Sequence, residues 1–449
     1  MDRREFLKNS AALTAATVIA PEALATEGKT KAVQAPDEER NPSGQLIASA
    51  PMLQNYASES IGVAFAVNDW ANGYVLISEH PDLSGARKIK CGGYRVTDLN
   101  DRVQQIRVTG LKPATRYWYR IGADRIQYKA GYSMKITGNE EDPRIYSFMT
   151  AGKGAESHFC VINDTHAHFD TFDLLTEKIA ALAPSCVIWN GDATNCEERI
   201  DSQVRSFLNP PITRKDYASG IPYLFAPGNH DSRGMANRHF ERLWMWRQPE
   251  ERSSRDWDLG RNFAVRMGDI AMIGLDTAED KQDSNPIFAG LFNSAAYREA
   301  QVAWLEDALR RKEIATAPFL VAFCHIPLFD DDPTHNPGDV APADKDPQYS
   351  ADFAYWQRTC AKLWTPLLQK AKCQLIITAH MHIYRYDAPD GTRKWGHLVG
   401  GGPEWRDDVR FPTVIEGQVE GRGKSSQLHI TVHNIRTGKV QDEFRFKAR

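Results

Sequence analysis

The sequence has few cysteines, little net charge and no long apolar run in its main part. Its seven cysteines are scattered over 449 residues without a Cys-x-x-Cys pair, which indicates neither a disulfide framework nor a cysteine-based zinc site. The net charge of -3 does not favour nucleic acid or an anionic membrane as a partner. We therefore expect no nucleic-acid-binding domain, and no membrane span in the mature protein. The 42% hydrophobic residues suffice for a sizeable core.

The N-terminus has the pattern of an export signal. An Arg-Arg-x-Phe-Leu-Lys run at residues 3–8 precedes a weakly apolar stretch at 11–20 and a small-x-small triplet at 23–25. The run resembles a twin-arginine signal, which an export receptor reads. We predict a signal peptide over residues 1–25 and a linker over 26–45. The expected partner is the twin-arginine export machinery, and the expected location is the periplasm or the extracellular space.

Residues 46–150 have the composition of short β-strands. The runs at 61–67 and 73–78 are rich in β-branched and aromatic residues, and turn-forming residues bound each of them. Several short strands predict a small all-β sandwich domain. Residues 111–121 resemble the strand corner of fibronectin type III-like domains, and similar domains precede the catalytic domain of purple acid phosphatases. This domain either supports the next one by packing or contacts a substrate or glycan.

From about residue 156, strand patterns alternate with helix patterns, which predicts an α/β domain with its function in the loops after strands. Five of the predicted strands end in residues suited to metal ligation. In chain order these residues are Asp164 with His166, Asp192, Asn229 with His230 and Asp231, His325, and His380 with His382. Asp-x-His and His-x-His each place two ligands on one side of an extended segment. One such motif is common by chance, whereas five in this order are specific.

This ordered series resembles the calcineurin-like metallophosphoesterases, over roughly residues 156–447. The resemblance implies an αββα sandwich at residues 151–449, preceded by the β-sandwich at 46–150. It also implies a metal-dependent phosphoric ester hydrolase that acts on a small-molecule phosphate ester.

The resemblance further implies a ligand set for two metal ions. One metal would be bound by Asp164, His166 and His382, the other by Asn229, His325 and His380, and both by a bridging Asp192. Nitrogen and oxygen ligands without a thiolate suit two divalent or trivalent ions, Fe, Mn or Zn. Such a pair clamps a phosphate and activates a water molecule as the nucleophile.

Other polar residues are expected beside the metals. In the family, the residue matching His230 protonates the leaving alkoxide or steadies the phosphoryl group. Asp231 would either orient His230 or only cap the turn. His168 would extend the site or lie exposed in a loop. Glu404 and Trp405 would border the site or simply pack.

The sequence departs from two neighbouring families. Purple acid phosphatases have a tyrosine three residues after the bridging aspartate, where this chain has Asn195, so the centre should be colourless. Exported PhoD-type phosphatases lack the Asp-x-His and Gly-Asn-His motifs. A long segment rich in Asp and Pro, residues 330–350, is predicted to be a lid that helps to choose the substrate.

The predicted function is export followed by hydrolysis of a phosphate monoester with metal-activated water. One alternative is a phosphodiesterase acting on nucleotides or phospholipid headgroups. A further alternative is a binding protein with a degenerate phosphatase domain.

Overall fold

The computed structural model describes residues 44–92, 99–247, 257–328 and 347–449, without the side chains of 347–358 and of Lys424. The predicted signal peptide, most of the linker and most of the predicted lid lie outside these residues. Among the described residues, no helix combines the length and the apolar character needed to cross a membrane.

The first eight strands of the described chain lie in the region predicted to be all-β. They are β1 Met52–Gln54, β2 Ser60–Ala66, β3 Ala71–Ser78, β4 Arg87–Lys90, β5 Val103–Thr109, β6 Arg116–Ala130, β7 Ser133–Glu141 and β8 Tyr146–Met149. Five of them form one antiparallel sheet in the order β4-β3-β6-β7, with β8 paired to β6. The strand-rich character of this region is as the sequence predicts.

The rest of the chain alternates strands with helices. The strands are β9 His158–Ile162, β10 Cys186–Trp189, β11 Tyr223–Phe225, β12 Phe263–Met267, β13 Ile270–Leu275, β14 Phe319–Cys324, β15 Leu375–Thr378, β16 Arg385–Asp387, β17 Gly396–Val399, β18 Thr413–Glu420, β19 Gln427–Asn434 and β20 Lys439–Lys447. The α-helices are α1 Phe169–Leu182, α2 Ile200–Phe207, α3 Ser294–Arg310, α4 Lys312–Ala315 and α5 Pro347–Lys370.

Two large sheets carry the loops that will form the site. The first has the order β20-β19-β18-β9-β10-β11-β1-β2-β5, and the second has the order β12-β13-β14-β15-β17-β16. Strands β9, β10 and β11 run parallel to one another, as do β13, β14, β15 and β17. Parallel strands bring their carboxyl ends to one edge of a sheet, and the loops that follow them therefore meet there.

Alternate side chains of the first sheet face two different layers, because side chains alternate along a strand. In β9, Phe159 and Val161 belong to a buried cluster that also contains residues of the second sheet. Cys160 and Ile162 belong instead to a cluster with Phe172 of α1. The first sheet is therefore covered by a helix on one face and by the second sheet on the other.

The second sheet shows the same alternation. In β14, Val321 and Phe323 face the cluster shared by the two sheets. Leu320 and Ala322 join a different cluster, which contains Trp304 of α3. Helix, sheet, sheet and helix thus follow one another as layers, which confirms the predicted αββα arrangement.

Strands from the N-terminal region continue the first large sheet. Strand β1 pairs in parallel with β11, with Gln54 opposite Tyr223, and β2 and β5 follow β1 outward. The Tyr119 hydroxyl also donates a hydrogen bond of 2.7 Å to the carbonyl oxygen of Ser219. Hydrogen bonds therefore connect the two sides of residue 150, and the domain boundaries at 46–150 and 151–449 stay a prediction.

We expect residues 151–449 expressed alone to be less stable than residues 44–449. Removal of β1 leaves the backbone edge of β11 without its partner, and an unpaired edge strand promotes aggregation. Soluble yield and the urea midpoint of the two chains measure the difference. Equal midpoints would show instead that 151–449 is an independent domain.

Candidate metal centre

The predicted ligands lie in loops that follow parallel strands of both sheets, and the structure brings them together. Three overlapping groups each have ligand atoms within 4.8 Å of one another: Asp164 with His166 and His382, His166 with Asp192 and His230, and Asp192 with His325 and His380. Asn229 joins them, since its Oδ1 lies 3.1 Å from His380 Nδ1. All seven predicted ligand residues therefore share one site.

The buried carboxylate of Asp192 lies at the middle of this site. Its Oδ2 is 3.1 Å from His325 Nε2 and 3.6 Å from His166 Nε2. Its Oδ1 accepts a hydrogen bond of 2.9 Å from the backbone N–H of His230. Because His325 and His166 belong to different predicted ligand sets, this position suits a carboxylate that bridges two ions.

The ligand set predicted for the first metal is compact. His382 Nε2 lies 3.0 Å from His166 Nε2 and 3.5 Å from Asp164 Oδ1. These three atoms converge on a common point. One buried atom of the site, Asp164 Oδ1, accepts no hydrogen bond from the described residues. A buried polar atom without a partner costs about 1–3 kcal/mol, and a bound cation would supply that partner. The residues present therefore fit metal ions.

Five of the predicted ligands have a strained backbone. Their φ angles are 44° at Asp164, 44° at His166, 48° at Asp192, 68° at His380 and 53° at His382. This left-handed region costs a residue other than glycine about 1–3 kcal/mol, and such strain persists mainly at functional sites. The surrounding fold therefore holds these side chains in conformations that an isolated loop would avoid.

Two glycines permit the close packing of the site. A Cβ atom on Gly228 would lie 2.2 Å from Asp192 Oδ1, and one on Gly191 would lie 2.3 Å from His325 Nδ1. Gly191 also has a φ of 82°, which glycine adopts at little cost. Larger residues at either position would displace a predicted ligand.

The family model for the calcineurin-like phosphoesterases matches residues 157–384, the region that carries these loops. This chain belongs to the calcineurin-like phosphoesterase family. It is accordingly a metal-dependent phosphoric ester hydrolase. A comparison with curated proteins found no match.

Solved structures share the fold of this phosphoesterase. Purple acid phosphatase PPD1 from yellow lupin (Lupinus luteus) seeds aligns with a TM-score of 0.58 at 13% identity, over 89% of this chain and 74% of the lupin chain. PhoD aligns with a TM-score of 0.57 at 11% identity, over 92% of this chain and 94% of PhoD. At such identities the likeness concerns the fold, and the site must be argued from its own residues.

An asparagine holds the ring of His166 in the phosphoesterase. Asn195 Oδ1 lies 2.7 Å from His166 Nδ1, and Asn195 Nδ2 donates to the His166 carbonyl oxygen at 2.9 Å. Because an amide oxygen can only accept, His166 Nδ1 carries the proton and Nε2 presents its lone pair to the site. In the sequence, Asn195 stood out only as a departure from the purple acid phosphatases.

The rings of His325 and His382 are held in the same manner. His325 Nδ1 lies 2.9 Å from the carbonyl oxygen of Asn190, and His382 Nδ1 lies 3.0 Å from Glu404 Oε2. Each of these acceptors leaves Nε2 directed at the predicted metals. Glu404, for which the sequence left packing and site roles open, therefore contacts a predicted ligand.

His230 stands beside the ligands. Its ring packs edge-on against His166 with 4.9 Å between the centroids. Its Nε2 lies 3.3 Å from Arg233 Nη1, and its Nδ1 lies 3.6 Å from Cys196 Sγ. Burial lowers the pKa of His230 to about 4, against the opposing charge of Asp192.

Asp231 connects two loops of the site. Its Oδ2 accepts from the N–H of Gly228 at 2.9 Å, and its Oδ1 accepts from the N–H groups of Ala193 and Thr194 at 3.1 and 3.3 Å. The ring of His230 is not among these partners. Of the two roles predicted for Asp231, the contacts therefore favour a structural one, which ties the loop of Asp192 to that of Asn229.

His168 is exposed at the start of α1, which corresponds to the second of its two predicted positions.

Three charged residues of the site were missed by the sequence analysis. Arg233 donates from Nε to Glu279 Oε2 at 2.8 Å and from Nη2 to Asp280 Oδ1 at 2.7 Å. Asp280 Oδ2 also lies 4.0 Å from His380 Nε2. In the sequence, the only sign that Glu279 and Asp280 belong to the site is their place after the end of β13. Their partner Arg233 lies 46 residues before Glu279.

The carboxylates and histidines of the site shift one another's pKa values. Burial alone would raise the pKa of both Asp164 and Asp192, but neighbouring histidines, His325 foremost, hold both pKa values below the usual range. Against burial, Asp192 and Asp164 raise the pKa of His325 to about 9. Against burial, Asp164 and Glu404 raise the pKa of His382 to about 10. In the metal-free protein at neutral pH both rings are thus protonated and compensate the carboxylates.

We expect Asn195→Ala to weaken metal binding by about 10–100-fold, as is typical when a residue that orients a ligand is lost. Titration against a chelating dye measures the affinity. The exposed Asn209 supplies the control, Asn209→Ala, which should bind metal as the wild type does. Unchanged affinity in Asn195→Ala would contradict an orienting role.

Metal binding near neutral pH should release protons from His325 and His382. Their pKa values of about 9 and about 10 lie above neutral pH, and ligation requires the neutral ring. Affinity should therefore rise as pH increases toward those values. Calorimetry in buffers of different ionisation enthalpy counts the protons, and Glu404→Gln should release fewer. Binding without proton release would contradict these pKa values.

Proposed function

We propose that this phosphoesterase is exported and hydrolyses a phosphate monoester with the aid of two metal ions. The observation that carries the proposal is the position of Asp192, whose Oδ2 lies within 3.6 Å of His166 Nε2 and 3.1 Å of His325 Nε2. One carboxylate so placed suits two adjacent cations. The twin-arginine-like run at residues 3–8 supports export to the periplasm or the extracellular space.

The proposed ligands are those of the sequence analysis. One ion would be held by Asp164, His166 and His382, the other by Asn229, His325 and His380, and both by Asp192. When bound, the two ions, drawn from Fe, Mn and Zn, supply Lewis acidity to the phosphate and lower the pKa of the attacking water. Two carboxylates cannot neutralise two such ions, and the centre therefore attracts an anionic phosphate.

His230 is proposed to assist departure of the leaving group. Burial keeps its ring neutral in the free protein, since its pKa is lowered to about 4. A phosphate anion bound beside the ring adds negative charge and raises that pKa. The ring can then hold a proton and transfer it to the ester oxygen as the bond to phosphorus breaks.

His230→Ala should lower kcat toward an aryl phosphomonoester by about 10²–10⁴-fold, the usual contribution of a general acid, while the metal content stays unchanged. The measurements are steady-state kinetics with Mn, Zn, Fe or chelator, and elemental analysis of the protein. The exposed His168 gives the matched control, His168→Ala, with activity expected at the wild-type level.

Two companion measurements separate the alternatives. An aryl phosphodiester assayed in parallel should react more slowly than the monoester, and a preference for the diester would establish a phosphodiesterase instead.

Asp192→Ala should lose both ions. Full metal content in that variant would refute the bridging assignment, and absence of both metal and activity from the wild type would favour a binding protein.

A further inference from the structure

A short apolar segment, residues 286–292, has one side chain, Phe288, that contacts a neighbour of His230. Its sequence is Pro-Ile-Phe-Ala-Gly-Leu-Phe, and Ile287 and Leu291 are 69% and 87% exposed. Phe288 and Phe292 contact each other edge-on with 4.7 Å between their centroids. Large apolar side chains gathered on one exposed segment are typical of a binding surface.

A single side chain, Arg233, connects this apolar segment to His230. Arg233 Nη1 lies 3.3 Å from His230 Nε2, and its Cζ lies 5.6 Å from the ring centroid of Phe288. Lys281 Nζ also lies 6.0 Å from that ring. Cationic groups thus lie next to the centre, and the ring of Phe288 lies directly beyond them.

The connecting guanidinium is held firmly. Arg233 donates to both oxygens of Glu279 and to Asp280 Oδ1. Glu279 is fully buried and Asp280 nearly so. Hydrogen bonds between charged groups are about twice as strong as neutral ones, and a planar guanidinium with three of them has little freedom. The guanidinium that lies between His230 and Phe288 therefore has a defined position.

We propose that the apolar segment is the subsite for the leaving group of the phosphate ester, and that this group is apolar, a phenol or a hydrophobic alcohol. The inference rests on the proposed function, in which His230 marks the side where the leaving group departs. In the step, water forms a new bond to phosphorus and the ester P–O bond breaks. The ester oxygen takes a proton from His230, the attacking water releases a proton that restores that of His230, and the products are hydrogen phosphate and the free alcohol. A sugar or polyol would gain nothing from contact with Ile287 and Leu291.

The test uses phosphonates, which carry the anion and an apolar group but no ester bond. Calorimetry compares methylphosphonate, phenylphosphonate and hexylphosphonate on the metal-loaded protein. Burial of the larger groups should tighten binding by about tenfold or more relative to methylphosphonate. The phenyl and hexyl probes distinguish an aromatic from an aliphatic leaving group, and a gain for either supports the proposal.

The double substitution of Ile287→Ser with Leu291→Ser should abolish that gain and leave methylphosphonate affinity within about twofold of wild type. Both positions are exposed, and the fold should tolerate the change. The matched control is Ile136→Ser with Val440→Ser, two residues 59% and 52% exposed on β7 and β20, which should keep the gain.

Two results would overturn the subsite without touching the proposed function. One is equal affinity of the wild type for all three phosphonates, and the other is an undiminished gain in the double variant. Failure of the metal-loaded wild type to bind methylphosphonate would overturn the anion-binding centre, and the subsite with it.

Discussion

The buried carboxylate of Asp192 places the strongest constraint on this structure. A charge that is removed from water must be compensated, and here His325, His166 and the backbone N–H of His230 surround it. The compensation is geometric as well as electrostatic, since only a glycine at position 228 leaves room for the carboxylate. A centre that balances two anionic carboxylates with protonated histidines when empty is arranged to exchange those protons for metal ions.

The layered fold makes this arrangement possible by giving the loops a rigid base. Phe159 of one sheet and Phe323 of the other meet edge-to-face with 5.7 Å between their centroids, and both are fully buried. Because this core fixes the two sheets relative to each other, the loops after β9, β10 and β11 face those after β14 and β15. The strained φ angles of five predicted ligands are tolerable only on such a support.

The site is asymmetric beyond its ligands. One group of residues, Asn195 and Glu404, orients His166 and His382 through neutral and anionic acceptors. Another residue, Arg233, lies between His230 and the ring of Phe288 in an exposed apolar segment. Residues that orient the ligands therefore differ from those proposed to choose the substrate. Substitutions can change metal affinity and substrate choice separately.

The sequence by itself determined the α/β class and the ligand candidates, because hydrophobic periodicity and motifs such as Asp-x-His are local properties of the chain. Only the tertiary structure decided which residues support the ligands. Arg233 meets Glu279 across 46 residues, and Asp231 proved to hold backbone amides rather than the His230 ring. The pairing of β1 with β11 was equally hidden. Strand partners and buried ion pairs are chosen by contacts distant in sequence, and no local pattern records them.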